Sequence, residues 1–276
     1  MMKKDKIHIP TYVFLTVGLV LIALPMYLTV LNSFKETRQI TGGFFEWPDP
    51  FTLDNFRRLL DDGVVQYFAN SMTITISSIA LIILIVPMAA YALARTMPRN
   101  RVFQGIYIML IIGIFVPFQV IMIPITSMMS DLGLSSKLGL IILYLTYAVP
   151  QSLFLYAGYV KTVIPKELDE AAAIDGSGKF NTYFKIIFPM MKPMHATVLI
   201  LNALWIWNDF LLPLLLLNRD ESTWTLPLFQ FNYQGQYFSD FGPSFASYVV
   251  GIVSILIVYL FFQRHIIDGM ANGSVK

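Results

Sequence analysis

The hydrophobic positions of this chain come in long runs separated by short polar segments. Each of six runs approaches the roughly 20 residues that a helix needs to cross a hydrocarbon layer of about 30 Å. The first run is too long for the core of a signal peptide and is predicted to remain as a helix. The pattern therefore predicts one all-α membrane domain over residues 1–276, with six transmembrane helices at residues 12–31, 71–94, 103–126, 138–159, 196–217 and 245–262.

Composition agrees with a membrane protein and excludes several other classes. The 276 residues are 56% hydrophobic and 13% charged, which is more apolar surface than one soluble core can bury. A net charge of +2, spread over several segments, argues against nucleic-acid binding. The absence of cysteine rules out disulfides and thiolate metal sites, and three scattered histidines do not suggest a metal cluster.

Basic residues suggest how the chain is oriented. Six spans place both termini on the same side, and with the N-terminus inside, the inner segments hold roughly twice as many Lys and Arg residues as the outer ones. This bias predicts a multi-pass membrane protein with both termini in the cytoplasm.

Several predicted spans contain proline, which cannot donate a backbone hydrogen bond and kinks helices. Such kinks suit a moving pore, but they are also ordinary in membrane helices, and the sequence favours neither reading. The prolines are Pro25, Pro87, Pro117, Pro124, Pro150 and Pro213.

The polar segment 165–193 has an unusual pattern of small residues. Leu168, Ala171, Ala172 and Asp175 recur at three- and four-residue spacing, so small side chains share one face of a predicted helix. Glycines at positions 176 and 178 then permit a sharp turn into a second amphipathic helix. The pattern predicts either a compact bent element that another protein can approach closely or a simple interfacial linker.

This segment resembles the EAA motif of ATP-binding-cassette (ABC) importer permeases. The match is Glu-Ala-Ala at 170–172, Gly176 after three intervening residues, then Ile186 and Phe-Pro at 188–189; Ser177 and Phe188 depart from the usual residues. The resemblance implies a type I importer permease fold in a bacterial-type inner membrane, with a cytoplasmic coupling helix that seats in a cleft of an ATPase subunit. The residues implied in coupling are Glu170, Ala171, Ala172, Asp175 and Gly176.

Other segments resemble the smaller partner of maltose-type permeases, in the branch that imports oligosaccharides. They are Pro-Phe-Gln at 117–119 with Ile-Pro at 123–124, the stretch 207–214 and the tail 269–276, with a looser match at 53–56. The resemblance implies a second homologous permease, two cytoplasmic ATPase subunits, an extracytoplasmic solute-binding protein, lipid and a carbohydrate substrate as partners. No GxxxxGK[ST] loop occurs, so ATP and Mg²⁺ are expected on the ATPase, with no catalytic, cofactor or metal site in this chain.

The fifth predicted span is unusually polar. Asn202, Trp205 and Asp209 share one helical face, and Asn208 adjoins it. A carboxylate inside the bilayer costs about 2.5–3.5 kcal/mol, so Asp209 is expected to face a water-filled cavity or a partner. Sugars suit such a surface, because polar edges bond to hydroxyls and aromatic faces lie against the rings. The alternative is that these residues join helices or lie at the outer interface.

An aromatic, polar segment follows that span on the predicted external side. The resemblance suggests that it reaches toward the binding protein, whereas membrane-interface packing is the competing interpretation. Its candidate residues are Trp224, Phe231, Tyr233, Gln236 and Tyr237.

Three other functions remain as alternatives. An ion-coupled secondary transporter normally has internal repeats and several buried ionisable residues, whereas this chain offers chiefly Asp209. An intramembrane enzyme would need a nucleophile with its base, or a metal site, within the spans. An ABC permease for a solute other than sugar is the third alternative.

Overall fold

The computed structural model describes the backbone of residues 9–233 and 240–273, and side chains of 10–233, 240–257 and 260. Every regular element in this part of the chain is helical, which confirms the predicted all-α class. The contacts divide the chain into two compact units, one within Met1–Val65 and Phe229–Ser254, the other within Gln66–Leu228 and Ile255–Lys276.

Fourteen α-helices follow one another in the described residues. Short 3₁₀ turns occur at Gly113–Phe115, Glu221–Thr223 and Phe231–Tyr233, and a π-helical turn occurs at Tyr183–Ile187. The helices are α1 (Ile9–Ser33), α2 (Thr37–Gly42), α3 (Asp54–Asp61), α4 (Val64–Thr96), α5 (Arg101–Ile112), α6 (Phe118–Asp131), α7 (Lys137–Val163), α8 (Glu167–Ile174), α9 (Lys179–Thr182), α10 (Phe188–Met190), α11 (Lys192–Asn208), α12 (Leu211–Leu217), α13 (Leu226–Gln230) and α14 (Phe241–Gly273).

Among the described residues, three helices are each long and apolar enough to cross a membrane: α1, α4 and α7. Two bent pairs pass the same test together, Arg101–Phe115 with Phe118–Asp131 and Lys179–Met190 with Lys192–Asn208. The described helices thus give three to five candidate spans, and the apolar stretch Phe241–Ile257 of α14 is shorter. The count of six stays a prediction.

The third predicted span, 103–126, is not a continuous helix. It breaks between α5 and α6, and the helix axis bends by 105° at the break. Pro117 accounts for the break, because its ring would clash with the carbonyl of Gly113 four residues earlier in an unbroken helix. Val116 is accordingly extended, with φ −81° and ψ 110°, as expected before a proline.

The fifth predicted span, 196–217, is also interrupted. Helix α11 ends at Asn208, and Asp209 is extended with φ −71° and ψ 128° before α12 begins. Pro213 lies four residues after Asp209 and would clash with its carbonyl in a continuous helix. Four other prolines, Pro25, Pro87, Pro124 and Pro150, lie inside continuous helices.

The second unit has its core around α7. Tyr144, Leu153 and Tyr156 of α7 are buried and belong to one apolar cluster with residues of α4 and α11. Pro150 approaches Gly113 so closely that a Cβ atom at Gly113 would lie 2.9 Å from the proline Cγ. The absence of a side chain at Gly113 therefore lets the broken span pack directly on α7.

In the first unit, polar groups bind backbone carbonyls. Lys35 is buried and donates to the carbonyls of Gly43 and Phe44, at 3.0 and 3.2 Å. Burial lowers the pKa of this amine from its usual value. Asn55 donates to the carbonyls of Ser33 and Lys35 at 2.9 and 2.8 Å, so α3 is joined to the end of α1 by charge-free hydrogen bonds.

Replacing Gly139 by alanine should destabilise the start of α7. A Cβ atom there would lie 1.9 Å from the carbonyl oxygen of Leu134, so backbone must move. We expect a loss of about 1–3 kcal/mol, measured by thermal unfolding of the assembled transporter in detergent. Gly158→Ala is the matched control in the same helix, because nothing lies within 4 Å of its Cβ position. It should leave stability unchanged or raise it, and equal losses would refute the steric explanation.

Candidate functional site

Asp209 occupies the gap between α11 and α12 and bonds to two partners. One carboxylate oxygen accepts a hydrogen bond from the hydroxyl of Tyr144 at 2.9 Å, and the other accepts from the backbone N–H of Leu211 at 3.1 Å. The second bond supplies an acceptor for a free donor at the start of α12. Asp209 is half-buried, so the carboxylate is held by the fold and remains partly accessible.

Other aromatic rings pack beside Tyr144, the tyrosine that bonds to this carboxylate. Trp205 is 42% exposed and packs edge-on against Tyr144, with ring centroids 5.4 Å apart, and against Tyr147 at 6.3 Å. Phe118, the first residue of α6, packs edge-on against Tyr147 at 5.6 Å. The Tyr147 hydroxyl has no hydrogen-bond partner within the described residues. We call Phe118, Tyr144, Tyr147, Trp205 and Asp209 the aromatic–acid cluster.

Two other residues of the predicted polar face have different positions. Asn202 is buried and donates to the hydroxyl of Ser152 on α7 at 3.2 Å and to the carbonyl of Val198 at 2.8 Å. It therefore joins α11 to α7, as in the helix-joining alternative. Asn208 is exposed and donates to the carbonyl of Leu204, so it caps its own helix.

The sequence identified the acid and the tryptophan of the cluster but not the tyrosines. Tyr144 and Tyr147 lie in the predicted fourth span, where tyrosine is unremarkable, and their partners Asp209 and Trp205 are some 60 residues away in sequence. Their spacing of three places them on the same face of α7, but nothing in the sequence says that this face meets Asp209.

The segment 165–193 forms a sharply bent element. Helix α8 ends in two capping bonds, from Ser177 N–H to the carbonyl of Ala172 at 2.8 Å and from Gly176 N–H to that of Ala173 at 3.1 Å. This Schellman arrangement requires a left-handed residue, and Gly176 has φ +77°. Of the predicted coupling residues, Ala172 is buried, whereas Glu170, Ala171, Asp175 and Gly176 are exposed.

Arg95 at the end of α4 holds the start of this bent element. Its Nε lies 2.7 Å from a carboxylate oxygen of Asp169, and its Nη2 donates to the carbonyls of Ile164 and Pro165 at 3.1 and 3.0 Å. The hydroxyl of Tyr91 also donates to Asp169. In the sequence Arg95 is one of the inner basic residues that indicate orientation, and its contact with Asp169 is not predicted.

His195 holds the other end of the bent element. One ring nitrogen accepts from the hydroxyl of Tyr156 at 2.8 Å, and the other donates to the carbonyl of Phe188 at 3.0 Å, which fits a neutral imidazole. Tyr156 belongs to α7, so the segment is joined to membrane helices on both sides.

The predicted binding-protein residues differ in exposure. Trp224 is buried in the second unit with its ring 6.5 Å from that of Tyr67. In the first unit, Phe231 is 48% exposed, whereas Tyr233 is buried and donates to Asp62 at 2.7 Å. Burial raises the pKa of Tyr233, and the hydrogen bond to Asp62 raises it further. Gln236 and Tyr237 lie outside the described residues.

Comparison with known proteins identifies the family. Residues 86–272 match the family described as "Binding-protein-dependent transport system inner membrane component". The chain belongs to this family of importer permeases. The match includes both the bent element and the aromatic–acid cluster, and it confirms the membership predicted from the EAA-like motif. Members are non-catalytic, multi-pass membrane subunits, so the secondary-transporter and enzyme alternatives are set aside.

Relatives match the permease along nearly its whole length. It is 63% identical, over 100% of both chains, to the "Multiple sugar-binding transport system permease protein MsmG" of Streptococcus mutans. It is 34% identical to the "Probable starch degradation products transport system permease protein AmyC" of Thermoanaerobacterium thermosulfurigenes, over 98% and 99% of the two chains. It is 29% identical to the "Melibiose/raffinose/stachyose import permease protein MelC" of Bacillus subtilis, over 92% and 91%.

Proposed function

We propose that this chain is a transmembrane subunit of an ATP-driven importer of oligosaccharides. The substrate class is supported chiefly by the relatives that match over nearly their full length, which are named for the transport of sugars and oligosaccharides. The carboxylate of Asp209 next to Tyr144 and Trp205 also supports it. In this proposal six transmembrane helices form a type I permease fold with both termini in the cytoplasm, and a second homologous permease completes the pathway. An importer of a solute other than sugar has no comparable observation in its favour.

The aromatic–acid cluster is the proposed contact with substrate. The exposed ring of Trp205 offers an apolar face to a sugar ring, while the partly accessible carboxylate of Asp209 offers hydrogen bonds to sugar hydroxyls. Tyr144 holds the carboxylate in place. Asn202 has a positioning role, because its amide joins α11 to α7, and exposed Asn208 is a peripheral contact.

The bent element is the proposed contact with a cytoplasmic ATPase. Beside the exposed Glu170, Ala171, Asp175 and Gly176 it presents two large apolar side chains, Ile174 at 86% and Phe180 at 73% exposure. The exposure of these two large apolar side chains beside the predicted coupling residues supports a contact with another protein at this bend. Two ATPase subunits would supply ATP and Mg²⁺, and this chain would bind neither.

An extracytoplasmic solute-binding protein is the remaining proposed partner. The exposed ring of Phe231 supports a surface contact, while the burial of Trp224 and Tyr233 supports a structural role for those two residues. Gln236 and Tyr237 remain proposed contacts.

Deleting the gene and testing one substitution would examine this function. Uptake of radiolabelled raffinose and maltotriose is expected to fall to background in the deletion strain for at least one sugar. Trp205→Ala should lower that uptake about two- to tenfold, because an aromatic contact contributes about 0.5–1.5 kcal/mol beyond area burial. Trp205→Phe should restore part of it.

Leu204→Ala is the matched control, since Leu204 is 43% exposed beside Trp205 on the same helix and lies outside the cluster. Its uptake should equal wild type. Undiminished uptake of a panel of oligosaccharides in the deletion strain would refute the carbohydrate function. Equal losses in the two alanine variants would refute the role of the cluster.

A further inference from the structure

A cavity of about 760 Å³ lies where the end of α4 meets the bent element. One wall is a stripe of α4 residues, Ile85, Met88, Ala89 and Ala92, spaced three and four apart and therefore on one helical face. All four are exposed, and the two larger ones are about 40% accessible. An apolar stripe that runs along a membrane helix into a cavity is a surface for hydrocarbon.

Cationic side chains line the polar end of the same cavity. Arg95 follows the stripe on α4, Arg99 lies in the turn after α4, and Lys166 and Lys179 enter from the bent element. Arg95 is paired with Asp169. In the described part of the chain, the side chains of Arg99, Lys166 and Lys179 form no ion pair or hydrogen bond, and the lining carboxylates are Asp169 and Glu170 alone. Three unpaired cations thus face one unpaired carboxylate.

We propose that this cavity binds one anionic glycerophospholipid. The cavity is lined by apolar residues along the membrane span and by cations where α4 ends. A lipid at the membrane surface has the same order, with acyl chains inside the membrane and a charged headgroup at its surface. A soluble anion would use the cations but not the apolar stripe, and a zwitterionic lipid would leave the excess positive charge uncompensated. The phosphate would lie among Arg99, Lys166 and Lys179, with an acyl chain along Ala92, Ala89 and Met88.

The site would connect the lipid composition of the membrane to the bent element. Its unpaired cations come from the turn after α4 and from the segment that follows α7, so a bound phosphate would hold the two together beside the Arg95–Asp169 pair. This inference does not depend on the transported solute, because it uses only the membrane helix and the cavity.

Native mass spectrometry of the assembled transporter in mild detergent tests the site. The complex is titrated with phosphatidylglycerol and, separately, with phosphatidylcholine. We expect wild type to retain one more phosphatidylglycerol than the variant Arg99→Gln, Lys166→Gln, Lys179→Gln, and no extra phosphatidylcholine. Each single substitution should weaken retention of phosphatidylglycerol about fivefold. The single variants therefore test the site even if the triple variant fails to assemble.

The matched control is Arg101→Gln, Lys185→Gln, Lys192→Gln, which removes the same charge from exposed neighbouring positions that do not line the cavity. It should retain lipid as wild type does. Equal losses in the two triple variants, or no loss in the first, would overturn the site. No extra phosphatidylglycerol on wild type, the result expected if another subunit covers the cavity, would overturn it as well.

Ala92→Trp examines the apolar half with every charge intact. The indole is expected to occupy the path of the acyl chain and to abolish retention of the extra phosphatidylglycerol. Unchanged retention would show that the headgroup binds an open basic surface, and the cavity site would then be wrong.

Discussion

Valine in place of Gly176 is expected to reduce sugar uptake about tenfold or more. Gly176 has φ +77°, and its N–H closes the capping turn of α8. A non-glycine residue in this left-handed region costs about 1–2 kcal/mol, and a β-branched residue costs more. A change of about 1.4 kcal/mol already shifts an equilibrium tenfold, so the bent element should lose the conformation proposed to dock on the ATPase. Uptake of labelled oligosaccharide by intact cells measures the effect.

Gly178→Val is the matched control, two residues away. Gly178 has φ −72° and ψ 155°, which is a conformation that valine favours, and nothing lies within 4 Å of its Cβ position. Gly176→Asn should be intermediate, because asparagine tolerates the left-handed region. If both valine variants lost uptake equally while the complex stayed assembled, steric crowding and not backbone conformation would be the cause.

Local features of the bent element could be predicted from the sequence. Helix formers at 167–174 and a glycine two residues later are signals that act within one or two turns, and α8 with its left-handed Gly176 lies where they place it. The ion pair and hydrogen bonds that join Arg95 to this segment could not be predicted. Its partners Ile164, Pro165 and Asp169 are about 70 residues away, and an arginine at the end of a membrane helix is common for other reasons.

The aromatic–acid cluster shows the same limit. The polarity of Asn202, Trp205 and Asp209 marked the segment as unusual, but a continuous helix was predicted where the chain breaks. The signal for the break was present, since Pro213 excludes a helical carbonyl at Asp209. The break changes the role of Asp209. Its carboxylate accepts hydrogen bonds from the backbone N–H of Leu211 at the start of α12 and from the hydroxyl of Tyr144 on α7. Which polar residue joins helices, as Asn202 does, depends on packing that spacing alone does not specify.

Arg95→Ala should remove three of the contacts between α4 and the start of the bent element, those to Asp169, Ile164 and Pro165. The Arg95 and Asp169 side chains are only 15% and 24% exposed, so the substitution leaves a half-buried carboxylate and frees two carbonyls. Removing one partner of such a pair costs about 2–5 kcal/mol, most of it from the group left behind. We expect a lower midpoint of thermal unfolding for the assembled transporter and a loss of oligosaccharide uptake.

A double-mutant cycle separates the ion pair from the carbonyl contacts. Asp169→Asn alone leaves Arg95 bonded to Ile164 and Pro165, so it should destabilise less than Arg95→Ala. Adding Asp169→Asn to Arg95→Ala should recover part of the loss, because no uncompensated carboxylate remains. Arg95→Lys keeps the charge, but lysine cannot bond both carbonyls and the carboxylate in one planar arrangement. Its loss of stability should therefore lie between zero and that of Arg95→Ala. Strictly additive effects would mean that the two side chains do not interact, and the bond from Tyr91 to Asp169 would then be the side-chain link from α4 to Asp169.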